Sequence, residues 1–219
     1  MRRGVRPLTV VERDHRLVAH LRRLFGTRIA VVPGDARVVP LPPADCAVGN
    51  LPYAVATPIL LRLFALRVPR VVALVQEEVG QRLAAGPGSG AYGRLSLAAQ
   101  LYGEVELFRP IGPEAFYPAP KVRSRLIVHR ARPGPLPVPS VPEFERATRI
   151  LFSARRKQLG NLLPRLAGGD AAAERLARAA GWPDGWSTLR PENLPPEAFF
   201  ALARARAGAD GPSDRPTSP

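Results

Sequence analysis

The sequence predicts an α/β protein in which a mainly parallel sheet carries helices on its faces and a small all-helical unit follows. Three observations predict it. Short β-branched runs alternate with segments of helical period through roughly the first half of the chain. Two later β-rich runs then succeed one another with no helix between them, and a Pro-rich stretch separates them from a region of helical patterns alone.

The elements follow in order. Leu8-Thr9-Val10-Val11-Glu12 begins just after Pro7 and reads as a buried parallel strand that ends in an acid. From Asp14 the period changes: Leu17, Val18, Leu21, Leu24 and Phe25 recur at helical spacing, Asp14 can cap the start, and Gly26 can supply a left-handed stop. Ile29 to Val32 forms a second strand, running into Pro33-Gly34-Asp35, and Cys46-Ala47-Val48 a third, running into Asn50-Leu51-Pro52-Tyr53. A helix from Thr57 to Leu66, the apolar strand Val71 to Val75 and a helix from Glu77 to Ala84 continue the alternation. Gly86-Pro87-Gly88-Ser89-Gly90 reads as a mobile loop. After it come a helix, Leu95 to Gln100, and two strands near Val105 and Leu126-Ile127-Val128 with an antiparallel arrangement.

Prolines at 133, 135, 137, 139 and 142 can continue neither a helix nor a strand ladder, so residues 133–142 are read as a linker between a domain over 1–132 and a helical domain over 143–207. Phe144 to Leu151, Gln158 to Leu166, Ala171 to Ala180 and Pro196 to Ala207 supply its helices, and residues 208–219 are read as a disordered tail.

Composition narrows the class of function. With 46% apolar residues the chain can bury a real core, its apolar runs are too short to span a bilayer as a helix, and a single cysteine excludes a disulfide scaffold. Lys and Arg at 32 against Asp and Glu at 18 leave a net charge of +14, which suits a polyanion such as nucleic acid. A GC-rich coding sequence is the competing explanation, because only Lys121 and Lys157 are lysines and the rest of the positive charge is Arg. No apolar segment follows the basic N-terminus, so a cytoplasmic location is expected. Cys46 reads as a small core residue, Trp182 and Trp186 as packing for the helical domain, and His15, His20 and His129 as surface residues without metal-ligand spacing; no metal site is expected.

In open α/β sheets ligands bind beyond the carboxyl ends of the strands, and three strands here end near Glu12, Asp35 and Asn50. A carboxylate in the position of Glu12 commonly accepts the ribose hydroxyls of a nucleotide, a solvated acid at a strand end being the alternative. Asn50-Leu51-Pro52-Tyr53 is more specific. The lone pair of an adenine amine is delocalised into the ring, and two acceptors aimed at the amino hydrogens favour the pyramidal form in which it is localised. The Asn50 carboxamide oxygen and the Leu51 carbonyl can be those acceptors, with Pro52 fixing the chain and Tyr53 stacking on an extruded base. A plain Asn-Pro turn with a core tyrosine is the competing reading. Between Arg109 and Lys157 stand 11 basic and 3 acidic side chains, concentrated around Lys121 and Arg123 and at Arg155-Arg156-Lys157, which suits an RNA backbone unless it is only a solvated face.

Six blocks in order carry a resemblance to a known family: Asn50-Leu51-Pro52-Tyr53; Gln76-Glu77-Glu78-Val79 with Arg82-Leu83; Ala91-Tyr92-Gly93-Arg94-Leu95-Ser96; Phe116 through Pro118, Pro120, Lys121 and Val122 to Ser124; Phe152-Ser153 through Arg155-Arg156-Lys157; and Arg190-Pro191-Glu192 with Leu194. From about Leu8 to Ala207 the chain resembles the KsgA/RsmA family of ribosomal RNA small-subunit adenine dimethyltransferases. The resemblance implies a Rossmann-like class I methyltransferase sheet and S-adenosylmethionine as cofactor. The implied substrate is two adjacent adenosines near the 3′ end of small-subunit (16S) rRNA, each methylated twice at N6 during ribosome biogenesis. It also implies Glu12 at the cofactor ribose, Asp35 at the cofactor adenine, Asn50 where donor and amine meet, and Tyr53 and Phe116 at the target base, with a core role the alternative for Phe116. Lys121, Arg123, Arg155, Arg156 and Lys157 are the expected RNA contacts; a monomer that touches no membrane is expected. Erm-type large-subunit rRNA methyltransferases share the fold and a similar tetrapeptide, but Ala91-Tyr92-Gly93-Arg94 and the Phe152-to-Lys157 block look more like the small-subunit enzymes.

The chain also departs from that pattern. Family members open with a strand and a turn resembling Glu-x-Gly-x-Gly that receives the methionine part of the cofactor, whereas this sequence starts at the strand that should be second. Roughly one βα unit of 30 or more residues is therefore expected to be missing, and the strands ending at Glu12 and Asn50 should lack a neighbour between them. The reading of this departure is a piece of a longer active enzyme; the alternative is a shortened, non-catalytic paralogue that binds pre-ribosomal RNA as an assembly factor.

Overall fold

The computed structural model describes residues 7–209; of the segment 208–219 read above as a disordered tail, Gly208 and Ala209 instead end the last helix, and the rest lies outside the described residues. Among the described residues are six strands and eight α-helices, which alternate through the first part of the chain as the periodicity predicts. Strand β1 (Thr9–Glu12) is followed by α1 (His15–Phe25), whose first turn is capped by the Asp14 carboxylate accepting from Arg16 N–H and whose end is closed by Gly26 at φ 55°. Strand β2 (Ala30–Pro33) runs parallel to β1 in full register, Thr9 facing Ala30 and Glu12 facing Pro33.

A second sheet is built from β3 (Cys46–Asn50), β4 (Arg70–Gln76), β5 (Gly103–Ile111) and β6 (Ser124–Ala131) in the order β3-β4-β6-β5. The β3–β4 pair is parallel and is joined by α2 (Ala56–Ala65); the pairs of β6 with β4 and β5 are antiparallel, as expected. Strand β5 is an edge, which tolerates Pro110; the register breaks between Leu107 and Pro110, and Arg125 Nη1 donates to the Phe108 carbonyl at that irregularity.

The two sheets are separate. Among the described residues nothing pairs with the other edge of β1 or of β3, where a common sheet would need a strand between them. The consequence predicted from the sequence is visible in Val48, a β-branched residue in mid-strand that stays 80% exposed. Cys46 is exposed for the same reason, which corrects its expected place in the core. The sheets are nonetheless tied together, since Arg62 on α2 donates to the carbonyls of Ala36 and Val38 in the loop after β2.

One continuous apolar core runs from the second sheet into the helical region. Helix α3 (Glu77–Ala84) carries Glu77 and Glu78 in its first turn and Arg82 in its last, matching its dipole. It is joined to α4 (Arg94–Tyr102) through the buried Ser96, whose hydroxyl accepts from Gly93 N–H and donates to the Arg82 carbonyl. Phe64, Val71, Leu97 and Ile127 pack in the same cluster as Phe144, Leu159, Trp186 and Phe199. The helical part comprises α5 (Val141–Leu151), α6 (Leu163–Ala167), α7 (Asp170–Ala179) and α8 (Pro196–Ala209). Helix α5 begins inside the stretch read as linker, because Pro142 falls in the first turn, where a missing N–H costs nothing, and Ser140 caps it. The Pro-rich segment is also packed down: Val138 is buried and Arg204 donates to the Pro137 carbonyl.

His129 is fully buried, stacked on Phe64 with ring centroids 3.9 Å apart, and so is no surface residue. It lies on β6, the strand flanked on both sides by β4 and β5. Trp182 and Trp186 do pack the helical part, edge to face, with the Trp182 indole N–H donating to the Ala198 carbonyl.

Candidate active site and RNA interface

Two groups of candidate residues emerge, one on each sheet. At the carboxyl end of the β1–β2 pair, the Glu12 carbonyl accepts from Gly34 N–H, which brings Glu12 beside Asp35. The Glu12 carboxylate Oε1 accepts from Asp14 N–H at 2.7 Å. Asp35 accepts from the backbone N–H and the guanidinium of Arg37, and this pairing holds its carboxyl down at about 2. Asp35 is therefore a carboxylate acceptor at neutral pH, and both side chains present acceptor oxygens suited to hydroxyl and amine donors of a nucleoside.

The second group surrounds the end of β3. Asn50 is its last, exposed residue. Leu51 folds its side chain back over Gly49, where a β-carbon would come within 2.8 Å of Leu51 Cδ2, so a larger residue at 49 would displace the end of that side chain. Pro52 holds φ −58°, its carbonyl accepts from Val55 N–H, and Tyr53 opens a tight helical turn that leads into α2. The Tyr53 hydroxyl lies 2.5 Å from the hydroxyl of the buried Ser124 at the start of β6. Tyr53 is half-buried and anchored by its polar end, rather than being a core tyrosine.

Ser124 closes the segment that carries Phe116, Lys121 and Arg123. Phe116 is extended and half-buried, while its neighbour Tyr117 is 102% exposed. Lys121 and Arg123 are exposed. Glu77, the first residue after β4, grips this region: its N–H donates to the Arg123 carbonyl, and its carboxylate pairs with Arg125 at 2.8 Å and Arg123 at 3.6 Å.

The basic block of the helical part divides. Arg156 and Lys157 are exposed. Arg155 is engaged within the fold: its guanidinium pairs with Glu192 at 3.2 Å and donates to the Gly90 carbonyl, while the Glu192 carbonyl accepts from Gly88 N–H. The buried Tyr92 hydroxyl donates to the Leu194 carbonyl, and Phe152 packs edge-on to Tyr92 and against Phe199. Three sequence blocks far apart in the chain thus form one junction between the Gly-rich loop and the helical part. Sequence reasoning left four residues without a role: Gly49, Arg62, Glu77 and Ser124. Only Gly49 had a local signal, a glycine directly before the Asn-Leu-Pro turn; the others act through partners tens of residues away.

A sheet with parallel strands, acceptors at their carboxyl ends and an Asn-Leu-Pro-Tyr turn defines a class I methyltransferase fold. The structure is similar to that of a dimethyladenosine transferase from Plasmodium falciparum (TM-score 0.73, 21% identity, covering 90% of this chain and 80% of that one). It is also similar to the 23S rRNA methyltransferase ErmE (TM-score 0.65, 22% identity, 91% and 81%). Residues 2–178 match the family model described as ribosomal RNA adenine dimethylase. The chain is 39% identical over 211 residues to the probable ribosomal RNA small subunit methyltransferase A of Natronomonas pharaonis, covering 93% of this chain and 76% of that protein. It is 38% identical over 216 residues to ribosomal RNA small subunit methyltransferase A of Gloeobacter violaceus, covering 94% and 78%. The chain belongs to the ribosomal RNA adenine dimethylase family.

Proposed function

We propose that this protein is an S-adenosylmethionine-dependent methyltransferase that dimethylates N6 of two adjacent adenosines near the 3′ end of small-subunit rRNA. The observation that carries the reading is the Asn50-Leu51-Pro52-Tyr53 turn, held at the end of β3 and anchored to β6 through Tyr53, in a chain of this family. Relatives named for the small subunit favour that substrate over the large-subunit rRNA named for ErmE.

The donor set fits the nucleoside half of the cofactor. The Glu12 carboxylate would hold the ribose hydroxyls, Asp35 would accept from the adenine amine, and Asn50 would stand between donor and acceptor. Bound there, S-adenosylmethionine supplies an electrophilic methyl group. Among the described residues no Glu-x-Gly-x-Gly turn ends a strand to cradle the methionine part. On the substrate side, the Asn50 carboxamide oxygen and the Leu51 carbonyl accept the two amino hydrogens of an extruded adenine, which localises the N6 lone pair. Tyr53 and Phe116 hold the base: stacking contributes about 1–3 kcal/mol against an extrusion cost of a few kcal/mol. Lys121, Arg123, Arg156 and Lys157 supply phosphate contacts for the remainder. Among the described residues no three His, Cys, Asp or Glu side chains cluster as a metal site, and no helix is long and apolar enough to cross a membrane.

The test is transfer of labelled methyl from S-adenosylmethionine to unmethylated small ribosomal subunits. Asn50→Ala is expected to lower transfer about a hundredfold or more, the scale of losing a transition-state acceptor, with RNA affinity unchanged. An equal loss of RNA binding would sink the role given to Asn50. Subunit binding without transfer, both by this chain and by one extended upstream, favours a binding-only assembly factor, whereas transfer by the extended chain alone supports the enzyme reading.

A further inference from the structure

We propose that Ser124 is a positioning residue for the target base, acting through Tyr53. The inference rests on the proposed function and deepens it. Three observations carry it. The Ser124 and Tyr53 hydroxyls lie 2.5 Å apart, a contact between residues 71 positions apart in sequence. Ser124 itself is fully buried, so its hydroxyl is held away from solvent and directed to one partner. It is also clamped on both sides by one residue: the Arg123 carbonyl accepts from Glu77 N–H, and the Arg125 guanidinium gives Glu77 Oε1 two hydrogen bonds, at 2.8 and 3.1 Å. Gln76, the residue before Glu77, is the β-ladder partner of Ser124, so the clamp is part of the sheet.

The consequence is geometric. A tyrosine ring turns about two side-chain torsions, and a hydrogen bond at its far end removes that freedom while leaving both ring faces to stack. Ser124 is also the last residue of the segment that carries Phe116 and Lys121. One hydroxyl pair therefore sets the base-stacking ring and the acceptors of the Asn-Leu-Pro turn in register with the opposite, Phe116-bearing wall. Glu77 acts one step further out, by fixing Ser124.

The experiment is a double-mutant cycle with Tyr53→Phe, Ser124→Ala and both together. It is read three ways on the full chain: thermal melting, methyl transfer with kcat and KM for RNA separated, and quenching of a 2-aminopurine placed at the target adenine. Each single change is expected to lower kcat about three- to tenfold, the scale of one neutral hydrogen bond, with KM for RNA within about twofold. The double variant should be no worse than the more damaged single one, and Ser124→Thr should recover part of the loss. Quenching should fall in both single variants. Effects on kcat that multiply, or a Tyr53→Phe protein with full kcat and full quenching, overturn the proposal. If Ser124→Ala fails to fold, Tyr53→Phe removes the same bond from its half-buried end and decides alone. Absence of methyl transfer by both this chain and one extended upstream refutes the functional reading. The role of Ser124 is then decided by quenching: non-additive loss supports it, and unchanged quenching overturns it.

Discussion

Mild acid should destabilise this protein through one side chain. His129 has no exposed surface, lies against Phe64, and has neither ring nitrogen in a well-formed hydrogen bond. Burial penalises the imidazolium and lowers its pKa from 6.5 to about 4, with the Ala99 carbonyl opposing weakly. Because the folded value lies below the unfolded one, the unfolded chain binds the proton first. The stability held with a neutral ring is complete above pH 6.5 and is lost as pH falls toward 4. A separation of about 2.5 units corresponds to about 3 kcal/mol, lost at up to about 1.4 kcal/mol per pH unit. That is a large share of a total of about 5–15 kcal/mol. The assay is urea unfolding followed by circular dichroism at a series of pH values from 7.5 to 4, for wild type and His129→Gln. The substitution lowers stability by a constant amount through poorer packing, so the diagnostic is the slope. Wild type should lose about 3 kcal/mol more than the variant between pH 7 and pH 4. Parallel curves for the two proteins would refute the assignment.

Three further outcomes follow from packing and charge. Gly103→Ala drives a β-carbon into the Arg130 carbonyl oxygen across the β5–β6 pair, and should cost about 1–3 kcal/mol, read as a lower Tm; an unchanged Tm would contradict that approach. Replacing Arg156 and Lys157 by Ala should reduce the slope of log affinity for RNA against log salt by about 0.7 for each phosphate left without its cation. Arg155→Ala should instead resemble Glu192→Ala, lowering Tm with little change in that slope, because Arg155 is engaged with Glu192 and Gly90. Matching salt slopes in the Arg155 and Arg156 variants would reject this division of the basic block.

The elements were legible in the sequence because their signals are local. Helix α1 shows its cap at Asp14, its apolar stripe and its stop at Gly26 in one short stretch, and α3 carries acids in its first turn and a base in its last. The strands ending at Glu12 and Asn50 were legible as short apolar runs, and with them the acceptors at their carboxyl ends, since a strand end is a position along the chain. The missing neighbour between them was also readable, because a resemblance in block order exposes a gap.

Partnership across long sequence separations was decided by tertiary structure alone. A histidine on a strand has no local mark that distinguishes solvent from core; His129 is buried because β6 lies between β4 and β5 and one face of it meets Phe64. Cys46 looked like a core residue and is exposed because, with Val48 and Asn50, it lies on an uncovered face of β3. The Pro-rich stretch looked like a tether and is packed, because helices on either side of it bury one common core. Arg155, Arg156 and Lys157 are neighbours in sequence and in charge, yet the fold sends Arg155 to Glu192 and leaves the other two exposed. Composition determined that the chain is basic and can fold around a core; only the three-dimensional path determined which charges and hydroxyls face one another, since those energies depend on distances that the chain sets by folding back on itself.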